Sequence, residues 1–152
     1  MSKLIHNKKI RYVGLTLVEL VLVIAILAIL ASVAIPKINT WIKQAKTKKA
    51  AYQVLSDIQY VQSMALAKGE SKITFNTNNY IAEVPIGTTL FTKILENGIT
   101  ISATFFSTSN ELIFQRNKLP TSNGTIEISG YGVTYKILVN HITGRIRLEK
   151  IS

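Results

Sequence analysis

Positions 15–35 are apolar apart from Thr16, Glu19 and Ser32, and beyond them the chain changes its hydrophobic period. As a helix rising about 1.5 Å per residue, these 21 positions reach about 31 Å, the thickness of a bilayer's hydrocarbon core. Pro36 follows, where the helix either bends or melts locally, or breaks at the membrane edge. From 41 to 67 the pattern is again helical, with Ala51, Leu55, Ile58 and Ala65 on one stripe and Gly69 placed as a C-terminal cap. That stripe is where a globular domain is expected to pack. After Gly69 the period shortens. Runs suited to strands fall at 73–75, 80–84, 90–95, 99–101, 112–114, 126–128, 133–139 and 146–148, and alternation is clearest through Val133, Tyr135, Ile137 and Val139. Asn78-Asn79, Asn97-Gly98, Ser122-Asn123-Gly124 and Thr143-Gly144 supply the turns. The predicted fold class is α+β: a long N-terminal helix, membrane-spanning in its first half (15–35) and amphipathic in its second (36–69), packed on an antiparallel β-sheet domain over 70–152.

Charge sharpens this division. The formal net charge is +10, but Lys3, Lys8, Lys9 and Arg11 precede the apolar run and Lys37, Lys43, Lys46, Lys48 and Lys49 follow it. Residues 50–152 carry six Lys and three Arg against seven acidic residues, a balance of only +2. Overall charge therefore does not by itself imply a nucleic-acid partner. Both flanks of the span are basic, so its orientation cannot be read from the positive-inside rule. Lysines 43–49 suit a solvated or filament-packed face, with contact to lipid headgroups or nucleic acid as the other reading. There is no cysteine, which removes disulfides, thiolate nucleophiles and cysteine zinc sites. The two histidines, His6 and His141, lie far apart, and the acidic residues are scattered singly. No phosphate-binding glycine loop or metal-ligand spacing occurs. The expectation is no enzyme, no catalytic residue, no metal site and no cofactor.

Glu19 is the informative residue of the span, because an ionisable group in hydrocarbon is costly and needs a partner. An ordinary signal peptide, cut near Ser32-Val33-Ala34, is the competing reading; its apolar region would be too long and would hold a carboxylate. The segment Gly14-Leu15-Thr16-Leu17-Val18-Glu19-Leu20 resembles the processing site of type IV prepilins. The resemblance implies a leader over 1–14, removed by a prepilin peptidase after Gly14 at the cytoplasmic membrane face. It implies N-methylation of Leu15, although Phe is usual at that position. Glu19 would then be an assembly residue, pairing with the N-terminal amine of a neighbouring pilin subunit, a charge that enters an apolar core only in register. Localisation follows by the same resemblance: a single-pass inner (cytoplasmic) membrane protein, anchored through 15–35, with its domain in the periplasm and assembled into a pilus or pseudopilus.

The C-terminal stretch GTIEISGYGVTYKILVNHITGRIRL, 124–148, resembles the end of the FimT and GspH family of minor pilins and pseudopilins. Within it Gly144-Arg145-Ile146-Arg147 resembles the G-R-x-R motif of FimT-like pilins that bind DNA in natural transformation, which implies Arg145 and Arg147 as DNA contacts. The residues agree with that geometry. Side chains two apart on a strand share a face, so both guanidinium groups would project together while Ile146 and Leu148 face the core. Charged residues guarding a sheet edge, with Glu149 as partner, are the plainer explanation. Arg116 and Lys118, in a loop before Pro120, are a second candidate pair for the same surface. Tyr60, Tyr80, Tyr131 and Tyr135 could stack on bases, though such residues in a small sheet domain are more often core. Two functions remain open: DNA capture by a minor pilin, or a purely structural GspH-like pseudopilin of a type II secretion system or pilus-priming subunit.

Overall fold

A computed structural model describes residues 16–105 and 110–151. The elements are one helix, α1 (Leu17–Lys68), followed by β1 (Ser71–Phe75), β2 (Asn79–Glu83), β3 (Thr89–Ile94), β4 (Ile99–Phe105), β5 (Glu111–Phe114), β6 (Gly124–Gly130), β7 (Val133–Val139) and β8 (Ile146–Lys150). The chain divides into two units, Met1–Ile38 and Asn39–Ser152.

In the first unit the apolar side chains of α1 are exposed, as Val18 at 75% and Leu30 at 62% illustrate. This helix is long and apolar enough to cross a membrane. Its N-terminus is closed by a capping box: the Thr16 backbone N–H and hydroxyl both donate to Glu19 Oε2 at 3.2 Å, and the Glu19 N–H donates to Thr16 Oγ1 at 3.2 Å. Thr-x-x-Glu at a helix start satisfies orphan donors in this reciprocal way. Pro36 lies inside α1, so it does not break the helix; losing its N–H removes one backbone bond while the flanking turns remain helical. Gly14 and Leu15 lie outside the described residues.

In the second unit, one face of α1 supplies Ala51, Val54, Ile58, Val61 and Ala65, all fully buried. Fully burying one aliphatic side chain of Val or Ile size contributes roughly 1.5–3 kcal/mol. Gly69 caps the helix as expected, its N–H donating to the Ala65 carbonyl at 3.1 Å with φ +105°. All eight expected strands are present. They form two four-stranded antiparallel sheets, ordered β3-β2-β1-β5 and β4-β6-β7-β8, where a single sheet was expected. The partition arises because β5 pairs with β1, Ile73 opposite Leu112, while β4 pairs with β6, Ile101 opposite Ile128. Burial alternates strictly along β1, β2, β5 and β7, and inward residues of both sheets join the helix stripe in one core.

Among the described residues, buried side-chain polar atoms are paired. Asp57, on α1, accepts from the Tyr80 hydroxyl, from Lys93 Nζ at 2.8 Å and from Gln53 Nε2 at 3.1 Å. This network ties the helix to β2 and β3. Thr47 donates to the Gly130 carbonyl at 3.1 Å and Ser71 to the Val61 carbonyl at 3.2 Å. Tyr80 and Tyr135 are core residues, at 1% and 8% exposure. Tyr60 is exposed, and the Tyr131 hydroxyl is engaged by the Asn97 carbonyl at 2.6 Å.

Candidate nucleic-acid interface

The edge strand β8 follows the turn at 140–144, with Arg145 between the two. Asn140 organises that turn, its Oδ1 accepting from the N–H groups of Ile142 and Thr143 at 3.1 and 3.0 Å and from the Thr143 hydroxyl at 3.0 Å. Its own N–H donates to the Arg145 carbonyl at 3.0 Å. Gly144 has φ +67°, a conformation that disfavours any side chain, and a Cβ there would stand 3.2 Å from Leu119 Cδ2. Glycine is thus favoured by the backbone, and a side chain there would press on Leu119.

Arg145 and Arg147 are exposed on either side of the half-buried Ile146, and Ile146 and Leu148 pack against the core. Neither arginine makes an ion pair among the described residues. Glu149 does not hold Arg147, and the neighbouring charges Lys136 and Glu127 satisfy one another at 2.8 Å. Two guanidinium groups are therefore available to an external anion. Each carries a planar fork of donors suited to phosphate oxygens.

Both arginines line one concavity of about 880 Å³ at the end of the β4-β6-β7-β8 sheet. Its floor follows from strand register: Thr104 opposes Thr125, Thr125 opposes Leu138, and Leu138 opposes Arg147, placing the four in one row on the solvent face. Phe105 lies against Gly124, where a Cβ would stand 2.0 Å from the ring. Glycine at 124 thus serves the close packing of β4 against β6 rather than a positive-φ turn. Asn123 and Asn140 complete the rim. Among the described residues no carboxylate lines the concavity.

Arg116 and Lys118 are exposed but do not line this concavity. Arg116 reaches toward the end of α1, with Nη2 3.6 Å from where a Cβ on Gly69 would stand; a cation there complements the negative end of the helix dipole. The Lys118 backbone, by contrast, adjoins the arginine turn. Gln62 Nε2 donates both to the Lys118 carbonyl at 2.9 Å and to the Gly144 carbonyl at 2.8 Å. The sequence reading missed Gln62, Asn123, Asn140, Leu138 and the two threonines as parts of one site. Their only sequence signal was the Asn-rich turn chemistry, because cross-strand register brings the rest together.

No family model matches the chain. The chain is 27% identical over 138 residues to competence protein ComGD of Bacillus subtilis, an alignment covering 90% of this chain and 93% of that protein. Among solved structures it is similar to the type IV minor pilin FimU of Pseudomonas aeruginosa, with TM-score 0.58, 19% identity, and coverage of 70% of this chain and 90% of that one. It is also similar to the minor pseudopilin EpsH of the Vibrio cholerae type 2 secretion system, with TM-score 0.56, 11% identity, and coverage of 69% and 97%.

Proposed function

The chain is a minor pilin- and pseudopilin-like protein with the type IV pilin fold, and from that premise we propose that it captures extracellular DNA for uptake in natural transformation. One observation carries this reading: Arg145 and Arg147, free of intramolecular ion pairs among the described residues, line a common concavity without a carboxylate. The similarity to a competence protein over nearly the whole chain supports the same direction. Contact is to phosphate oxygens through the two guanidinium forks, and sequence preference is weak.

In this reading a prepilin peptidase removes 1–14 after Gly14, and Leu15 becomes the methylated N-terminus. The apolar half of α1 anchors the subunit in the cytoplasmic membrane with its domain on the outer side. Glu19 pairs with a neighbouring pilin on assembly. Arg145 and Arg147 are the principal DNA contacts. Lys118 lies beside them at the backbone level, and Arg116 is the more distant contributor.

Titrating the full chain in detergent micelles with labelled DNA at several salt concentrations tests the proposal. Neutralising two to four phosphates gives a log-log salt slope of about −2 to −4 and a Kd of roughly 10⁻⁴ to 10⁻⁶ M. Replacing Arg145 and Arg147 together with Gln should abolish most of the binding while the domain stays folded. Unchanged affinity and slope in that variant would leave the structural role, as a pseudopilin or pilus-priming subunit, as the function.

A further inference from the structure

We propose that the concavity beside Arg145 and Arg147 is a pocket for an unpaired nucleotide, so that the protein grips single-stranded DNA through base as well as phosphate. This rests on the DNA-capture reading and specifies its substrate. The argument begins with the two rim carboxamides. Asn123 Oδ1 is occupied by the His141 N–H at 2.8 Å, and Asn140 Oδ1 is occupied by the turn it organises. Those bonds fix which end of each amide is used internally. The NH₂ group of each side chain remains, unused among the described residues, as its free hydrogen-bonding capacity.

The pocket consequently offers two guanidinium groups and two carboxamide NH₂ groups, all donors. The Thr104 and Thr125 hydroxyls can act either way. With no carboxylate in the lining and Leu138 in its floor, the complementary ligand is anionic, rich in acceptors and partly apolar. A nucleotide has that composition: phosphate oxygens for the arginines, base carbonyl oxygens and ring nitrogens for the amides, and a flat apolar body over Leu138. The volume of about 880 Å³ lies within the range of pockets that enclose small organic ligands.

Pairing state follows from shape. A duplex is stiff and carries its phosphates on a convex surface, with its bases stacked inside. Only a flexible strand, or a frayed end, can lower a base into a concavity while its backbone remains on the two arginines. Sequence tolerance is retained, because every base carries acceptor atoms.

The test uses the full chain in detergent micelles and three labelled probes of equal length: a single strand without self-complementarity, the corresponding duplex, and a single strand whose sugars carry no bases. With the probes compared at equal phosphate concentration, two additional hydrogen bonds of ordinary net strength should favour the base-bearing strand over both others by roughly thirtyfold. Asn123→Asp keeps the acceptor for the His141 N–H and removes the donor. Its added charge weakens both single strands, so the readout is the affinity ratio between base-bearing and base-free strands, which should fall toward one. A thermal melt verifies that this variant is folded. If all three probes bind alike in the wild type and the Arg145→Gln, Arg147→Gln double variant loses all of them, the nucleotide pocket is refuted and phosphate capture stands. If the double variant binds every probe as the wild type does, the capture reading falls, and this inference with it.

Discussion

Gln62 Nε2, on α1, donates to the Gly144 carbonyl at 2.8 Å, so the helix directly fixes the turn from which Arg145 and Arg147 project. The same nitrogen holds the Lys118 carbonyl at 2.9 Å. One amide thereby sets the spacing of two loops far apart in sequence. Gln62→Ala should cost about 1 kcal/mol of stability, since both carbonyls can turn to water. The larger effect should be on DNA, with affinity reduced several-fold because two mobile guanidinium groups must be ordered on binding. Thermal melts and anisotropy titrations of the same preparation separate the two effects, and Gln62→Glu, which lacks the donor and adds a carboxylate beside the two carbonyls, should weaken DNA binding more than the alanine variant does.

The Asp57 network predicts an alkaline limit to stability. Burial first, then the hydrogen bond to Asp57 and the Asp57 charge, push the Tyr80 phenol well above its ordinary value of 10.0. Below pH 10 the folded and unfolded chains both keep this proton, and the contribution is complete. Above it the unfolded chain releases the proton while the folded chain retains it, so stability falls by up to about 1.4 kcal/mol per pH unit. Lys46, whose pKa is raised by its hydrogen bond to Glu96 and the Glu96 charge, acts in the same direction. Tyr80→Phe isolates the phenol: it should cost about 1 kcal/mol at neutral pH through the lost hydrogen bond and flatten the decline above pH 10. Denaturant melts across that range measure both.

The capping box gives Glu19 a partner before any second subunit is present, through Thr16 at 3.2 Å. Membrane insertion should therefore survive Glu19→Ala, which removes a carboxylate from the apolar segment, while incorporation into filaments should fall. Intact mass of the membrane form should begin at Leu15, and co-purification of neighbouring pilins reports assembly. An N-terminus at Ile35 would identify an ordinary signal peptide, and unchanged co-purification would remove the pairing role.

Local chemistry was legible in the order of residues. The apolar run, the Ala51, Ile58 and Ala65 stripe, the Gly69 cap and the alternation in β7 depend on neighbours within a turn or along one strand, where period alone determines which side chains share a face. The same rule sets Arg147 on the outer face of β8, while Arg145 precedes the strand and is exposed on the other side of the half-buried Ile146. Thr16 and Glu19, three apart at the helix start, also carry the spacing of a capping box. Strand partnership was not legible, because the same alternating pattern suits either neighbour, and only the joint packing on α1 sends β5 to β1 and β4 to β6. The pocket belongs to this second kind of information. Asn123, Leu138 and Arg147 are distant in the chain and become one surface through register, a choice made by the burial of the opposite face of the sheet.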